Sequence, residues 1–582
     1  MEKTPRETTG SGAGDSAATI RRRVCKADPE HLEGLPPLLA RLYATRGIHD
    51  SGEASLRLND LLPVSSLTGT DAAVELLLRH HAAGTPTLVV GDFDADGATS
   101  SALVVRALRA LGFAQVDFLV PNRFEFGYGL SAPLVAVAAA SRPGLIITVD
   151  NGISSVDGVA AANAAGIDVL ITDHHLPPAR LPSASAIVNP NLDGETFASK
   201  HLAGVGVAFY LMAALASRML EPGRARQLAA GLLDLVALGT VADVVTLDRN
   251  NRILVEHGLR RIRSGNGCPG IRALLQAAGR NPASCVASDL GFVAGPRLNA
   301  AGRLDDMSIG IRCLLSDSER EATALAATLS NLNEERRDIE AQMQDQALQA
   351  VAEISIDGDL PVAFSLFDER WHQGVVGLVA GRIKERYHRP VVAFALDKED
   401  RLKGSARSIR GLHIRDVLAE VDSANPGLIE RFGGHAMAAG LSLPKSSLAA
   451  FSSAFVLAAE RHLAPEDLER ELLSDGELAD DQLDLDTAEL LRSGGPWGQG
   501  FPEPVFDNVF EVRDRRILRD RHLKLKVRLA GGRREIDALA FNQLERAPDP
   551  MPRKVRLVYR LDINEYRGLR SPQLVVEQIS VV

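Results

Sequence analysis

Residues 85–97 read TPTLVVGDFDADG, and the fold follows from how this stretch is read. TLVV has no polar alternation, as expected of a strand covered on both faces. Asp92, Asp94 and Asp96 come straight after it, and SSALVVRALRALG then has a helical composition. The same order recurs downstream. QVDFLV, LIITVDNG, DVLITDHH and ASAIVNP are strand-like, and SSVDGVAAANAAG is helical. Such alternation from about 84 to 250 predicts a parallel sheet covered by helices. The polar residues fall at the carboxyl ends of the strands, where open α/β sheets bind ligands.

Carboxylates at i, i+2 and i+4 cannot all be buried unpaired, because desolvation and mutual repulsion oppose it. A hard divalent cation removes both penalties, and oxygen ligands suit Mg²⁺ or Mn²⁺. A solvated turn is the bland alternative, and an EF-hand fails for want of a Glu at the twelfth loop position. Asp150 ends LIITV, where a lone Asp is often a helix N-cap. Asp173, His174 and His175 end DVLIT, and adjacent histidines on extended chain point different ways. Asp243 lies in the apolar GTVADVV, as a ligand, a cap or a paired core acid. Each signal is modest alone, but all four lie in one α/β region.

The remaining chain suggests several domains, since 582 residues exceed a single core. Residues 1–27 are expected to be a disordered tail, with no apolar segment for a signal peptide. Residues 28–83 read as a helical segment and 84–314 as the first α/β domain, including a loop GFVAGPRLNAAGRLDD. A stretch free of Gly and Pro predicts a connecting helix over 315–354. Residues 355–464 read as a second α/β domain, with PVAFSLF and PVVAFAL as strands, and 465–500 as an acidic linker or helical segment. Five short strand-like runs over 501–582 predict a small β-barrel of OB type. That piece holds 17 Lys/Arg against 12 Asp/Glu in a chain of net charge −10, so the rest is at −15. A basic β module suits a polyanion, although strand edges also use Lys and Arg for protection. Cys25, Cys268, Cys285 and Cys313 form no CxxC pair, and no long uninterrupted apolar run is present. A reducing cytoplasm without a membrane span is the expectation.

DFDADG, VDNG, TDHH and GTVAD, in this order, resemble the DHH phosphoesterase superfamily. GPRLNAAGR, HQGVVGLVAGRI, GSARS and GGHAMAAG narrow the resemblance to the RecJ single-strand-specific exonucleases, over roughly residues 60–582. The resemblance implies a DHH domain, a long helix, a DHH-associated domain and an OB-fold. It also implies a 5′→3′ exonuclease that releases mononucleotides from single-stranded DNA in repair and recombination. The implied partners are a single-strand-binding protein and a repair helicase, and the implied state is a monomer.

Carried over by motif, Asp94, Asp96, Asp150, His174 and Asp243 are the implied ligands of two Mg²⁺ or Mn²⁺ ions, with Asp150 between them. His175 would face the scissile phosphate. Asp92 and Asp173 would orient ligands, with Asp92 also within possible reach of a metal. Many superfamily members carry a histidine where Val90 falls, which leaves one ligand shell short. Arg297, Asn299 and Arg303 are expected to hold phosphates. Ser405, Arg407, Gly433, Gly434 and His435 resemble phosphate-binding loops of the second domain. His372 would cap a helix or touch nucleic acid. Aromatics make up 4% of residues, which limits base stacking, and Phe93, Phe126 and Tyr128 are the candidates for a channel wall. A small-substrate phosphodiesterase would need only two α/β domains, a non-catalytic scaffold would have lost its ligands, and an unrelated hydrolase would not explain the second-half motifs.

Overall fold

TLVVG is a strand, Thr87–Gly91, with every residue buried. It lies inside a five-stranded, wholly parallel sheet ordered Val116–Leu119, Thr87–Gly91, Leu145–Val149, Asp168–Thr172, Ala186–Val188. Chain order therefore reverses between Thr87–Gly91 and Leu145–Val149. Open α/β sheets bind their ligands at such a switch point, outside the strand carboxyl ends. Asp92 and Asp150 are the first residues beyond these two strands.

This computed structural model describes residues 18–122, 126–354, 360–397, 400–544, 546–566 and 568–582. They form two compact units. One holds Val24–Glu334 and Asp486–Pro504; the other holds the described part of Met1–Arg23, Glu335–Leu485 and Val505–Val582. The helix Glu319–Ile354 begins in the first unit and ends in the second.

In the first unit Ala95–Ala110 and Gly204–Met219 pack on the sheet and Leu233–Ala242 packs on those two helices, and the inner residues of all three are fully buried. Pro222–Ala242 is long and apolar enough in composition to cross a membrane. It breaks at Leu232, and its second half is core, with Asp234 accepting from the Cys268 N–H at 2.5 Å. The predicted loop GFVAGPRLNAAGRLDD is not a loop. It forms a π-turn, Leu290–Ala294, and a helix, Gly295–Leu304, because its alanines and Leu298 have a core to face.

The second unit contains a mixed sheet ordered Arg431–Gly434, Ala438–Pro444, Arg401–Arg407, Val391–Leu396, Phe364–Phe367. Only its last pair is parallel. GSARS and GGHA are loops by their resemblance, but Ser405, Arg407, Gly433 and Gly434 lie on strands. The terminal strands close a barrel ordered Phe506–Leu518, His522–Leu529, Glu535–Ala540, Leu569–Val581, Lys554–Tyr566, the third and fifth of the chain running parallel. This is the five-stranded OB arrangement.

The tail expected over 1–27 lies outside the described residues as far as residue 17. From Thr19 to Arg22 the chain is a strand, parallel to Glu471–Ser474. The buried Asp507 carboxylate secures it, taking Arg22 Nε at 3.3 Å, Arg556 Nη1 at 2.8 Å and Ser474 Oγ at 2.6 Å. The expected boundary at 355 falls on residues 355–359, outside those described. The segment 465–500 is divided between the two units at Leu485. All four cysteines are free thiols, and Cys268, Cys285 and Cys313 are buried.

Candidate metal centre

Asp94 is the N-cap of Ala95–Ala110, and its Oδ1 accepts from the Asp96 and Gly97 N–H groups, both at 3.0 Å. Capping fixes the loop and leaves Oδ2 of Asp94 for another ligand. Asp96 points the other way, to the start of Gly204–Met219. Its Oδ2 accepts from Gly204 N–H at 2.6 Å and its Oδ1 from Val205 N–H at 3.0 Å. Two helix N-termini thus face these acids, and their partial positive charge favours anions there.

Close approach is possible because the helices present glycine. A Cβ on Gly204 would stand 2.6 Å from Asp150 Cβ, and one on Gly239 would stand 2.8 Å from Asp96 Oδ1. Asp150 itself has φ +60, a left-handed conformation a carboxylate residue rarely adopts in a strand exit. That turn aims its side chain across the sheet end.

Asp173 organises the two histidines. Its Oδ1 accepts from the His174 N–H at 2.7 Å and the His175 N–H at 3.1 Å, and meets His175 Nδ1 at 2.7 Å. Its Oδ2 accepts from Ile153 N–H at 2.9 Å. Burial opposes charge on both Asp173 and His175, but their contact outweighs it. Asp173 is held below the ordinary carboxylate range and His175 above the ordinary imidazole range. Two residues that the sequence motifs do not point to clamp this segment. Asn189 and Asn191 donate from Nδ2 to the carbonyls of His175 at 2.9 Å and His174 at 2.7 Å. Their only sequence signal is NPN directly after the last strand run.

His174 Nε2 is 3.1 Å from Asp150 Oδ1 and 3.6 Å from Asp243 Oδ2. The side chains assemble into metal-ligand groups whose donor atoms lie within 4.8 Å of one another: Asp92, Asp94 and Asp150; Asp96, His174 and Asp243; Asp150, His174 and His175. The first two share no residue, so they offer three ligands to each of two ions. Asp92 therefore sits among candidate ligands rather than behind them. Val90 is fully buried in the apolar core of the sheet with Leu88 and Ile146, and only its carbonyl, bonded to Asn151 Nδ2 at 3.1 Å, bears on the site.

The donor set fits hard divalent cations by its own electrostatics. Burial, then repulsion from the other aspartates, raises Asp96 to about 7 and drives Asp150 and Asp243 well above the carboxylate range. Asp150 Oδ1 is buried and, apart from the 3.1 Å approach of His174 Nε2, has no hydrogen-bond partner among the described residues. Carboxylate and imidazole donors around such a charge deficit suit Mg²⁺ or Mn²⁺.

The helix Gly295–Leu304 abuts the aspartate loop, since a Cβ at Gly302 would overlap the Phe93 carbonyl. Asn299 Oδ1 accepts from Ala95 N–H at 2.7 Å, so its carbonyl braces the loop. Arg303 is four residues on and shares that helix face. Arg297 donates to Ser330 Oγ at 3.1 Å and the Val293 carbonyl at 2.8 Å. Tyr128, whose hydroxyl is 3.2 Å from His175 Nδ1, stacks edge-on with Phe93. Phe126 packs against the sheet core instead.

The second unit gathers the other predicted residues at one sheet end. Arg407 pairs with Ala438 and Gly434 with Ala439, and His435 comes next in the turn, its N–H donating to the Ala438 carbonyl at 2.8 Å. Arg407 donates to Ser405 Oγ at 3.0 Å and the Ala406 carbonyl at 2.8 Å, and burial lowers its pKa. His372 Nδ1 accepts from Gly374 N–H at 3.1 Å, in the turn before the helix Val376–Tyr387.

Residues 86–240 match the DHH family, N-terminal domain; 359–460 match the DHHA1 domain; and 474–578 match the RecJ OB domain. The single-stranded-DNA-specific exonuclease RecJ of Dickeya dadantii is 52% identical over 97% of this chain and 99% of its own length. The Escherichia coli protein of that name is 51% identical over 96% and 98%. This chain belongs to the RecJ family. The crystal structure of RecJ in complex with Mn²⁺ from Thermus thermophilus superposes with a TM-score of 0.79 at 30% identity, covering 97% of this chain and 80% of that one. The Mg²⁺ complex of the same protein gives 0.74 at 29% identity, over 97% and 79%. Family membership accounts for the order of the three matched regions, and the OB match begins at 474, well before the first barrel strand at Phe506.

Proposed function

We propose that this chain is a metal-dependent exonuclease specific for single-stranded DNA, which hydrolyses phosphodiester bonds from the 5′ end and releases 5′-mononucleotides. The observation that carries this reading is the pair of three-ligand groups at the sheet's switch point, in a chain of the RecJ family. Asp92, Asp94 and Asp150 would hold one divalent ion, and Asp96, His174 and Asp243 the other, with Asp150 adjoining both through its contact to His174. When bound, Mg²⁺ or Mn²⁺ supplies Lewis acidity at the phosphoryl group.

The chain's own residues do the rest. His175, whose contact with Asp173 favours the charged form, presents Nε2 to a phosphate oxygen and stabilises charge that grows there. Asp173, Asn189 and Asn191 keep both histidines in place so that no reorganisation is needed at the moment of reaction. Arg303 and Arg297 are assigned to backbone phosphates beside the centre. Ser405, Arg407, the Gly433–Gly434 backbone and His435 form the phosphate grip of the second unit, and the OB barrel binds the strand. The reading places the enzyme in the cytoplasm, in DNA repair and recombination, as a monomer working with a single-strand-binding protein and a helicase.

The experiment is to incubate Asp150→Ala and wild type with 5′- and 3′-labelled single strands and duplexes in Mg²⁺ or Mn²⁺. Wild type should shorten single strands from the 5′ end only. The variant should bind the same strands and leave them intact; undiminished cleavage by it would sink the metal assignment.

A further inference from the structure

Phe292 is 82% exposed, although an aromatic ring gains most by burial. It stands on the π-turn Leu290–Ala294, a helix irregularity that often marks function. This turn runs along the end of Leu233–Ala242. A Cβ at Gly291 would lie 3.1 Å from Val241 Cγ1 and 3.6 Å from the Val241 carbonyl, and one at Gly295 would lie 3.0 Å from Ala242 Cβ. Asp243 of the metal centre is the next residue along. Val244 comes after it, 63% exposed and at φ +61, with its N–H donating to the same Val241 carbonyl at 3.3 Å. A β-branched residue in that conformation is strained. Two exposed apolar side chains, one of them strained, thus stand on the turn packed against Val241 and Ala242 and on the residue just after Asp243.

We propose that Phe292, together with Val244, is the platform on which a nucleobase next to the scissile phosphate stacks. The proposal rests on the single-strand nuclease reading and specifies how that site holds its substrate. A nucleotide offers a charged phosphate and an apolar π-face within one residue's length. The carboxylate and histidine cluster serves the first, and the adjoining apolar pair serves the second. A phenyl ring has no hydrogen-bonding group, so it would take any base. That suits an enzyme that must process every sequence, and base–aromatic stacking is sequence-tolerant. A paired base would have both faces covered by its neighbours in the duplex, so the platform would also favour single strands.

The test uses the full chain as wild type, Phe292→Ala and Phe292→Trp. Binding is followed by fluorescence anisotropy in EDTA, on one oligothymidine strand and on one whose terminal nucleotides at the 5′ end are abasic. Phe292→Ala should weaken binding of the natural strand about ten-fold, Phe292→Trp should restore it, and the abasic strand should bind all three proteins equally. Equal affinity of Phe292→Ala and wild type for the natural strand overturns the proposal, as does an equal loss on the abasic strand. Cleavage by wild type in Mn²⁺, measured alongside, tests the nuclease reading separately. A strand that binds but stays uncut would reject that reading while the binding ratio still decides the role of Phe292.

Discussion

Asp96, Asp150 and Asp243 carry their charges where solvent cannot stabilise them, and each is pushed above its ordinary 3.8 by burial and by the other acids. In the folded, metal-free chain they hold protons that the unfolded chain has already lost. Folded pKa values above unfolded ones make stability fall as pH rises, beginning near 3.8 and continuing through about 7 for Asp96. Divalent ions displace those protons, and their affinity grows as the competition fades. The melting temperature should therefore rise on adding Mn²⁺, more at about pH 8 than at about pH 5. At a hundred times its Kd a single ion contributes about 2.7 kcal/mol. Differential scanning fluorimetry with and without Mn²⁺ checks this, and a shift that shrinks as pH rises would contradict it.

Among the elements, helices are brought to the strand ends by residues with no side chain to obstruct them. Gly204 lies so close to Asp150 that a methyl group there has no room, its carbon standing 2.6 Å from Asp150 Cβ. Gly204→Ala should destabilise the fold by roughly 1–3 kcal/mol through overpacking. It should also blunt the Mn²⁺-induced rise in melting temperature, because Asp150 must move. An alanine variant with the full metal response would show that this approach is not what positions Asp150. The strands of the first unit and the helix Glu319–Ile354 are legible as apolar runs and as a long stretch without Gly or Pro. The helix Gly295–Leu304 is not, because its glycines and proline resemble a loop until Leu298 and its alanines find a core. GSARS and GGHA look like loops for a related reason. Small and polar residues disguise strands whose identity depends on pairing with Ala438–Pro444.

At the scale of the whole molecule, charge is segregated, with +5 in residues 501–582 against −15 elsewhere. The first barrel hairpin, Phe506–Leu518 to His522–Leu529, concentrates exposed arginine at its tip: Arg516, Arg519 and Arg521. Replacing these three with serine should leave the barrel folded, since none lies in its core. If all three neutralise phosphates, the slope of log K against log salt for a single strand should become shallower by about 2. An unchanged slope would move the strand to another face of the barrel. The strand Thr19–Arg22 shows the same reach across the chain. Its sequence reads as tail, and it is ordered only because Asp507, Ser474 and Arg556 lie hundreds of residues away in sequence and close in space.

By itself the sequence determined the parallel sheet, the barrel and the family, and it pointed to the acids and histidines that the fold brings together at the strand ends. Those features are local: apolar runs set strands, and residue order sets which side chains stand at each strand end. Tertiary structure alone decided how the acids divide into groups. It brought Asp92 in with Asp94 and Asp150, turned Val90 into the core, and set Asn189 and Asn191 behind the histidines. It also left Phe292 exposed on a turn packed against Val241 and Ala242. Which side of a strand exit faces a ligand depends on a turn such as the left-handed Asp150 and on the helices packed against it, and neither is written in the residues of that strand.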